Sequence, residues 1–235
     1  MRSKVFINLA MVLLTGCGPR TLDVVANSSC RLPCWNGIVV GTTTRSELLG
    51  ILPELDGASA SSIVSIEEPW KFFDGTVRFS MGPPLSQWQI PGISPARVGG
   101  EVQIIDEKVV ELILCGELGA TFGEVLAQIG EPEGVMSIRN PFIGGIDVLA
   151  YNGQTGFEIT FNTKHVPREI AGEISPRSSL DCISLFDPSI YAAMLEAKLI
   201  SFSSYGAKET LEITYPWEGY GKIDELYPPR STSTE

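Results

Sequence analysis

Residues 121–132 read Thr-Phe-Gly-Glu-Val-Leu-Ala-Gln-Ile-Gly-Glu-Pro. Thr121 with Glu124 three positions on is a capping box: the threonine oxygen takes a backbone N–H of the first turn and the glutamate reaches back. Phe122, Val125, Leu126 and Ile129 follow at i, i+3, i+4 and i+7, one face of a buried helix. Gly130 and Pro132 then stop it. The same plan stands 77 residues earlier, where Thr44-Arg45-Ser46-Glu47 is followed by Leu48, Leu49 and Leu52 and ended by Pro53.

Strand-like segments follow each helix. After the first come Thr76–Met81, Glu101–Asp106 and Val109–Cys115, with Asp106-Glu107-Lys108 as a hairpin turn. After the second come Gly134–Ile138, Asp147–Tyr151 and Gly156–Asn162, with a turn at Asn152-Gly153. In the last of these Phe157, Ile159 and Phe161 alternate with Glu158 and Thr160, which reads as a strand with one wet face. A third unit begins at Asp187-Pro188, an N-cap followed by proline. Ile190, Tyr191, Met194 and Leu195 carry a helix to about Leu199, and Glu209–Tyr215 reads as a strand. The expected fold class is therefore α+β: tandem helix-plus-antiparallel-meander repeats with a third helix–strand unit. The expected divisions are a first repeat over 33–116, a second over 117–165, a C-terminal unit over 166–227 packed on the same domain, and a disordered tail over 228–235.

The N-terminus has a different character. Arg2 and Lys4 precede Val5–Leu14, an apolar run broken only by Asn8. Ten residues make roughly 15 Å of helix, half a bilayer core, so the run is too short to span. It matches the charged and apolar regions of a secretory signal over 1–16. Leu14-Thr15-Gly16-Cys17 resembles the lipobox of bacterial lipoproteins. That resemblance implies a diacylglycerol thioether on Cys17, cleavage after Gly16, and a lipidated tether over 17–32. Two or three acyl chains on one residue hold a protein stably at a membrane surface.

Cleavage would take the net charge from −11 to −13, because Arg2 and Lys4 are lost. An acidic chain is repelled by phosphates, which argues against nucleic-acid binding. Cys30, Cys34, Cys115 and Cys182 remain, an even number in an exported chain. The favoured pairing is Cys30–Cys34 with Cys115–Cys182. The alternative ties Cys30 or Cys34 to Cys115. One Cys-x-x-x-Cys and a single histidine, His165, do not make a zinc site.

The helix, its stop and the following meander resemble the small α+β repeat of β-lactamase-inhibitor-like domains and of the small lipoprotein of the outer-membrane β-barrel assembly machine. Gly119, Thr121, Glu124, Val125, Ile129, Gly130 and Pro132 match that pattern; the first copy has Pro53 in place of the glycine. Pro33-Cys34-Trp35-Asn36-Gly37 also resembles a Pro-Cys-Trp-x-Gly segment of small lipoproteins, a likeness that implies no activity. The repeat resemblance implies binding or scaffolding and transfers no partner.

Catalytic groups do not converge in the sequence. His165 lacks a Gly-x-Ser-x-Gly partner, the glycine pairs lack a phosphate-loop frame, and Asp74-Gly75 lacks the remaining acids of a calcium loop. No catalytic residue, metal or cofactor is expected. The candidate contact residues are the aromatics Trp70, Phe73, Trp88, Trp217 and Tyr220, which sit among prolines and glycines. The expected function is a membrane-anchored interaction or scaffolding module of the cell envelope. It would be lipid-anchored on the extracytoplasmic face of the cell or outer membrane, with an envelope protein as partner. An inhibitor or immunity lipoprotein against a secreted hydrolase is the alternative. A ligand-binding protein or enzyme, which would need a pocket with several polar side chains, ranks third.

Overall fold

A computed structural model describes residues 28–67, 73–81, 98–139, 145–163, 172–196 and 214–229. The chain begins with a small hairpin of β1 (Cys34–Trp35) and β2 (Ile38–Val39), then enters α1 (Arg45–Ile51). β3 (Val64–Ile66), β4 (Gly75–Met81), β5 (Val98–Ile105) and β6 (Lys108–Gly116) follow. Then come α2 (Phe122–Ile129), β7 (Gly134–Arg139), β8 (Ile146–Asn152) and β9 (Phe157–Asn162). The remaining elements are β10 (Glu173–Ile174), β11 (Cys182–Phe186), α3 (Tyr191–Glu196), β12 (Tyr215–Pro216), β13 (Gly221–Lys222) and α4 (Ile223–Leu226).

Nine strands form one antiparallel sheet in the order β12-β7-β8-β9-β11-β6-β5-β4-β3. This overturns the tandem-repeat α+β expectation. The molecule is mostly β, and the two capped helices are only seven and eight residues long. β11, from the C-terminal third, pairs with β6 on one side and β9 on the other. It thereby joins the strands expected in two separate repeats into one ladder. A closed repeat would leave the N–H and C=O groups along the facing edges of β6 and β9 without protein partners, and β11 supplies those partners.

Local chemistry explains the individual elements. Both capping boxes form, with Thr44 and Glu47 on α1 and Thr121 and Glu124 on α2. Gly130, with φ of 93°, ends α2 in a conformation glycine adopts without strain. The β5–β6 hairpin turns at Asp106 and Glu107, both at positive φ (49° and 60°). That is the left-handed pair a tight two-residue hairpin requires. Gly100 lies against the Phe79 ring, in space a Cβ would occupy, and Phe79 stacks on Trp35.

One sheet face carries α1 and α2. Leu48, Phe122, Val125, Val77, Leu112, Ile159 and Leu185 belong to a single core on that side, with Trp35, Ile223 and Tyr227 closing its ends. The other face starts apolar: Met136, Ile138, Leu149 and Tyr151 form a smaller cluster against Tyr191 of α3. Further along it becomes polar, and the candidate site lies there.

Candidate functional site

Strand register builds the polar face. Glu101 faces Ile113, Ile113 faces Ser184, Ser184 faces Glu158, and Glu158 faces Tyr151, so one row crosses β5, β6, β11, β9 and β8. Glu111 lies two positions along β6 from Ile113, opposite Gln103 and Phe186. Glu111, Glu158, Ser184 and Gln103 are all buried. The expectation of a wet face on β9 is corrected here, because Glu158 is only 2% exposed.

Buried acids need compensation. The Ser184 hydroxyl donates to Glu111 Oε1 at 2.7 Å. Burial pushes the Glu111 carboxyl up to about 8; the charges of Glu158 and Glu101 push the same way, and the Ser184 bond opposes them. At neutral pH Glu111 therefore holds its proton. Glu101 is served from outside, by Arg78 Nε at 2.7 Å and Gln103 Nε2 at 2.6 Å, and Thr76 Oγ1 donates to Gln103 Oε1.

Beside this row is a groove of about 340 Å³ lined by Asp147, Glu158, Thr160, Asp181, Ser184 and the Cys115–Cys182 disulfide. Its walls offer carboxylates and hydroxyls within a small space, chemistry suited to a hydrogen-bonding or cationic ligand. Among the described residues no group of three or more His, Cys, Asp and Glu side chains is placed to hold a metal ion.

A second feature lies on the helix-bearing face. Trp217 stacks on Tyr227 (6.0 Å between centroids, 8° between planes) and meets Tyr220 edge-on at 5.5 Å and 88°. Phe122 of α2 touches both Trp217 and Tyr220 edge-on. The Tyr227 hydroxyl donates to Gly219 O at 2.8 Å and accepts the Glu218 N–H at 2.9 Å, clamping the loop between β12 and β13. β12 is an edge strand, where Pro216 is tolerated because its missing N–H would face outward. Partial burial and the Glu131 charge raise the Tyr220 phenol above its ordinary range. Tyr220 is nevertheless 45% exposed.

Of the five aromatics singled out in the sequence, the structure brings Trp217 and Tyr220 together. Trp217 is half-buried. Phe73 is buried, at 9% exposure. Cys17, Trp70, Trp88 and His165 lie outside the described residues. The cysteines pair as Cys30–Cys34 and Cys115–Cys182, with Cα separations of 5.7 and 4.1 Å. Two disulfides belong to an oxidising, extracytoplasmic compartment. Among the described residues no helix is long and apolar enough to cross a membrane.

Sequence reading missed Glu111, Glu158 and Ser184. The available signal was a lone acid inside the apolar run Val109-Val110-Glu111-Leu112-Ile113-Leu114, which is costly unless partnered. No family model, curated protein or solved structure matches the chain.

Proposed function

We propose that this protein is a binding module of the cell envelope, tethered by lipid on Cys17 and engaging an envelope protein through the loop that carries Trp217 and Tyr220. One observation carries the reading: Tyr220 is an exposed aromatic on a loop already fixed by Tyr227. Among the described residues the other exposed large apolar side chains are Leu49 and Val64, both aliphatic. A rigid amphipathic ring costs little entropy to immobilise on contact, and such rings dominate interface energetics. The disulfides and the signal-like N-terminus support the compartment.

The test uses a photoreactive residue at position 220 in intact cells, with the same residue at Val64, on the far edge strand, as control. A discrete adduct from 220 that is absent from 64 supports the reading. Indistinguishable adducts, or none, end it. Replacing Cys17 with serine should release the protein from membranes and abolish palmitate labelling.

The groove favours a second reading, a pocket for a small polar ligand, because several polar side chains converge on it. A Thr160→Trp variant would fill it. Thermal stabilisation by a ligand that survives this change would remove the groove as the site.

A further inference from the structure

The two disulfides are held differently. Cys115 and Cys182 face each other in register between β6 and β11, near the middle of the nine-stranded sheet. Cys30 and Cys34 instead close a short loop that runs into the two-stranded β1–β2 hairpin, where Cys34 pairs with Val39; all four cysteines are part-exposed, so the difference lies in the strand pairing around them.

The surroundings of the two loop sulfurs are unequal. Gly37 N–H donates to Cys30 Sγ at 3.4 Å. Ser28 Oγ lies 3.8 Å from the same sulfur. A disulfide sulfur carries no hydrogen, so the hydroxyl must be the donor in that contact. The geometry allows it, because Ser28 Oγ already accepts the Asn36 N–H at 2.9 Å and the Cys30 N–H at 3.4 Å. Its own proton is left to point at the sulfur. Among the described residues no donor reaches Cys34 Sγ. Asn36 and Gly37, both at positive φ, turn the backbone that aims these donors.

Hydrogen bonds to sulfur stabilise a thiolate, and in thiol–disulfide exchange the better-stabilised thiolate is the better leaving group. We infer that Cys30–Cys34 is a thiol-exchange site, at which an external cysteine thiolate is captured on Cys34 and Cys30 is the departing thiolate.

The step balances. An external thiolate R–S⁻ attacks Cys34 Sγ, the Cys30–Cys34 bond breaks, and a Cys34–S–S–R bond forms. The electron pair stays on Cys30 as a thiolate. The Cys30 thiolate can attack Cys34 Sγ to restore the original bond and expel R–S⁻. Alternatively, a second thiol of the donor attacks the R sulfur, leaving Cys30 and Cys34 reduced and the donor dithiol oxidised to a disulfide. The co-reactant is a small-molecule thiol or a protein dithiol, both of which operate in oxidising compartments.

Capture would also have a structural readout. Leu32 and Pro33 lie inside the disulfide loop. The Leu32 N–H donates to Gln128 Oε1 at 3.3 Å, and Pro33 walls a cavity of about 260 Å³ with Gln128, Ile129, Gly156 and Phe157. Opening the loop frees one wall of that cavity.

The test uses the full chain with Cys17→Ser, so that the fifth cysteine does not compete. Graded glutathione is added, thiols are trapped by alkylation, and adducts are located by mass spectrometry. The expected results are that Cys30–Cys34 opens before Cys115–Cys182 and that the glutathione adduct sits on Cys34. In the reduced pair, Cys30 should alkylate at least about threefold faster than Cys34 at pH 7, since its gain in thiolate outweighs its lower intrinsic nucleophilicity. Ser28→Ala should slow Cys30 alone, and Ser28→Thr should restore it. An adduct on Cys30, equal alkylation rates, insensitivity to Ser28→Ala, or earlier opening of Cys115–Cys182 would each overturn the assignment.

Discussion

Glu111→Gln should stabilise this protein, and by an amount that grows with pH. The amide is nearly isosteric, keeps an acceptor for the Ser184 hydroxyl, and cannot ionise. In the folded chain the Glu111 carboxyl rises from 4.5 to about 8. The unfolded chain loses this proton near the lower value while the folded chain keeps it to the upper one. The contribution of Glu111 is therefore full below about pH 4.5 and is lost progressively as pH rises to about 8. At about 1.36 kcal/mol per pH unit, the whole span is worth about 5 kcal/mol. At pH 7 about 3 kcal/mol of it has gone.

Burial sets most of this behaviour, and the groups that modify it come from three strands: Ser184 on β11, Glu158 on β9 and Glu101 on β5. All remain in the variant, so their own titration largely cancels in the difference between the two proteins. Urea unfolding followed by tryptophan fluorescence, with disulfides intact, reads that difference at pH 5, 6, 7 and 8. It should widen by about 1.4 kcal/mol per pH unit across this window. Parallel stability–pH curves for the two proteins would show that Glu111 is not held protonated, and the reading of the buried row would fail.

Other elements give independent checks. Thr121→Ala removes the α2 capping box and should lower unfolding free energy by about 1 kcal/mol in urea titrations. Gly100→Ala drives a methyl group into the Phe79 ring and should cost about 2 to 3 kcal/mol by the same assay, with loss of near-ultraviolet dichroism from the Phe79–Trp35 stack. Replacing both Cys115 and Cys182 with alanine frees a loop of 67 residues and should cost about 4 kcal/mol in the chain-entropy model. The same change at Cys30 and Cys34 should cost only about 2 kcal/mol, measurable as the smaller of the two drops in melting temperature.

Local features were legible in the sequence because local chemistry decides them. Thr44 with Glu47 and Thr121 with Glu124 announce helix starts within four residues, and Asp106-Glu107 announces a turn. Six segments read as strands recur as β4 to β9 with small shifts at their ends. β11 did not announce itself. Cys182-Ile183-Ser184-Leu185-Phe186 is five residues long, and its position between β6 and β9 is fixed by pairing with residues distant in sequence. Glu158 illustrates the cost of that omission. Alternation in β9 correctly separates Phe157, Ile159 and Phe161 from Glu158 and Thr160, yet alternation cannot say that the second face is also covered. The aromatics were ambiguous for a similar reason: composition places Phe73 and Tyr220 alike among turn residues, and only packing separates one from the other.

The same strand that unites the sheet also creates the buried acid row. Without β11, β6 and β9 would each present an edge, and Glu111 and Glu158 would sit on different sheets with water available to both. Inserting β11 removes that water and brings two acidic side chains under one cover, a cost of folding that hydrophobic burial by Ile183 and Leu185 on the opposite face must exceed. Ser184 lies between those two residues and faces the acids, so the strand that imposes the desolvation also carries the hydroxyl that partly offsets it. Over Ile183–Leu185 the two-residue period of the strand thus puts the apolar contacts on one face and the hydroxyl on the other. A valine in place of Ser184 would keep the packing of β11 and leave Glu111 without the Ser184 hydroxyl, whereas a polar residue in place of Leu185 would damage the core that holds β11, and with it the acid row, in place. The core and the acid row therefore draw on alternate residues of β11, so a change at Ser184 tests the row with the core contacts of Ile183 and Leu185 kept.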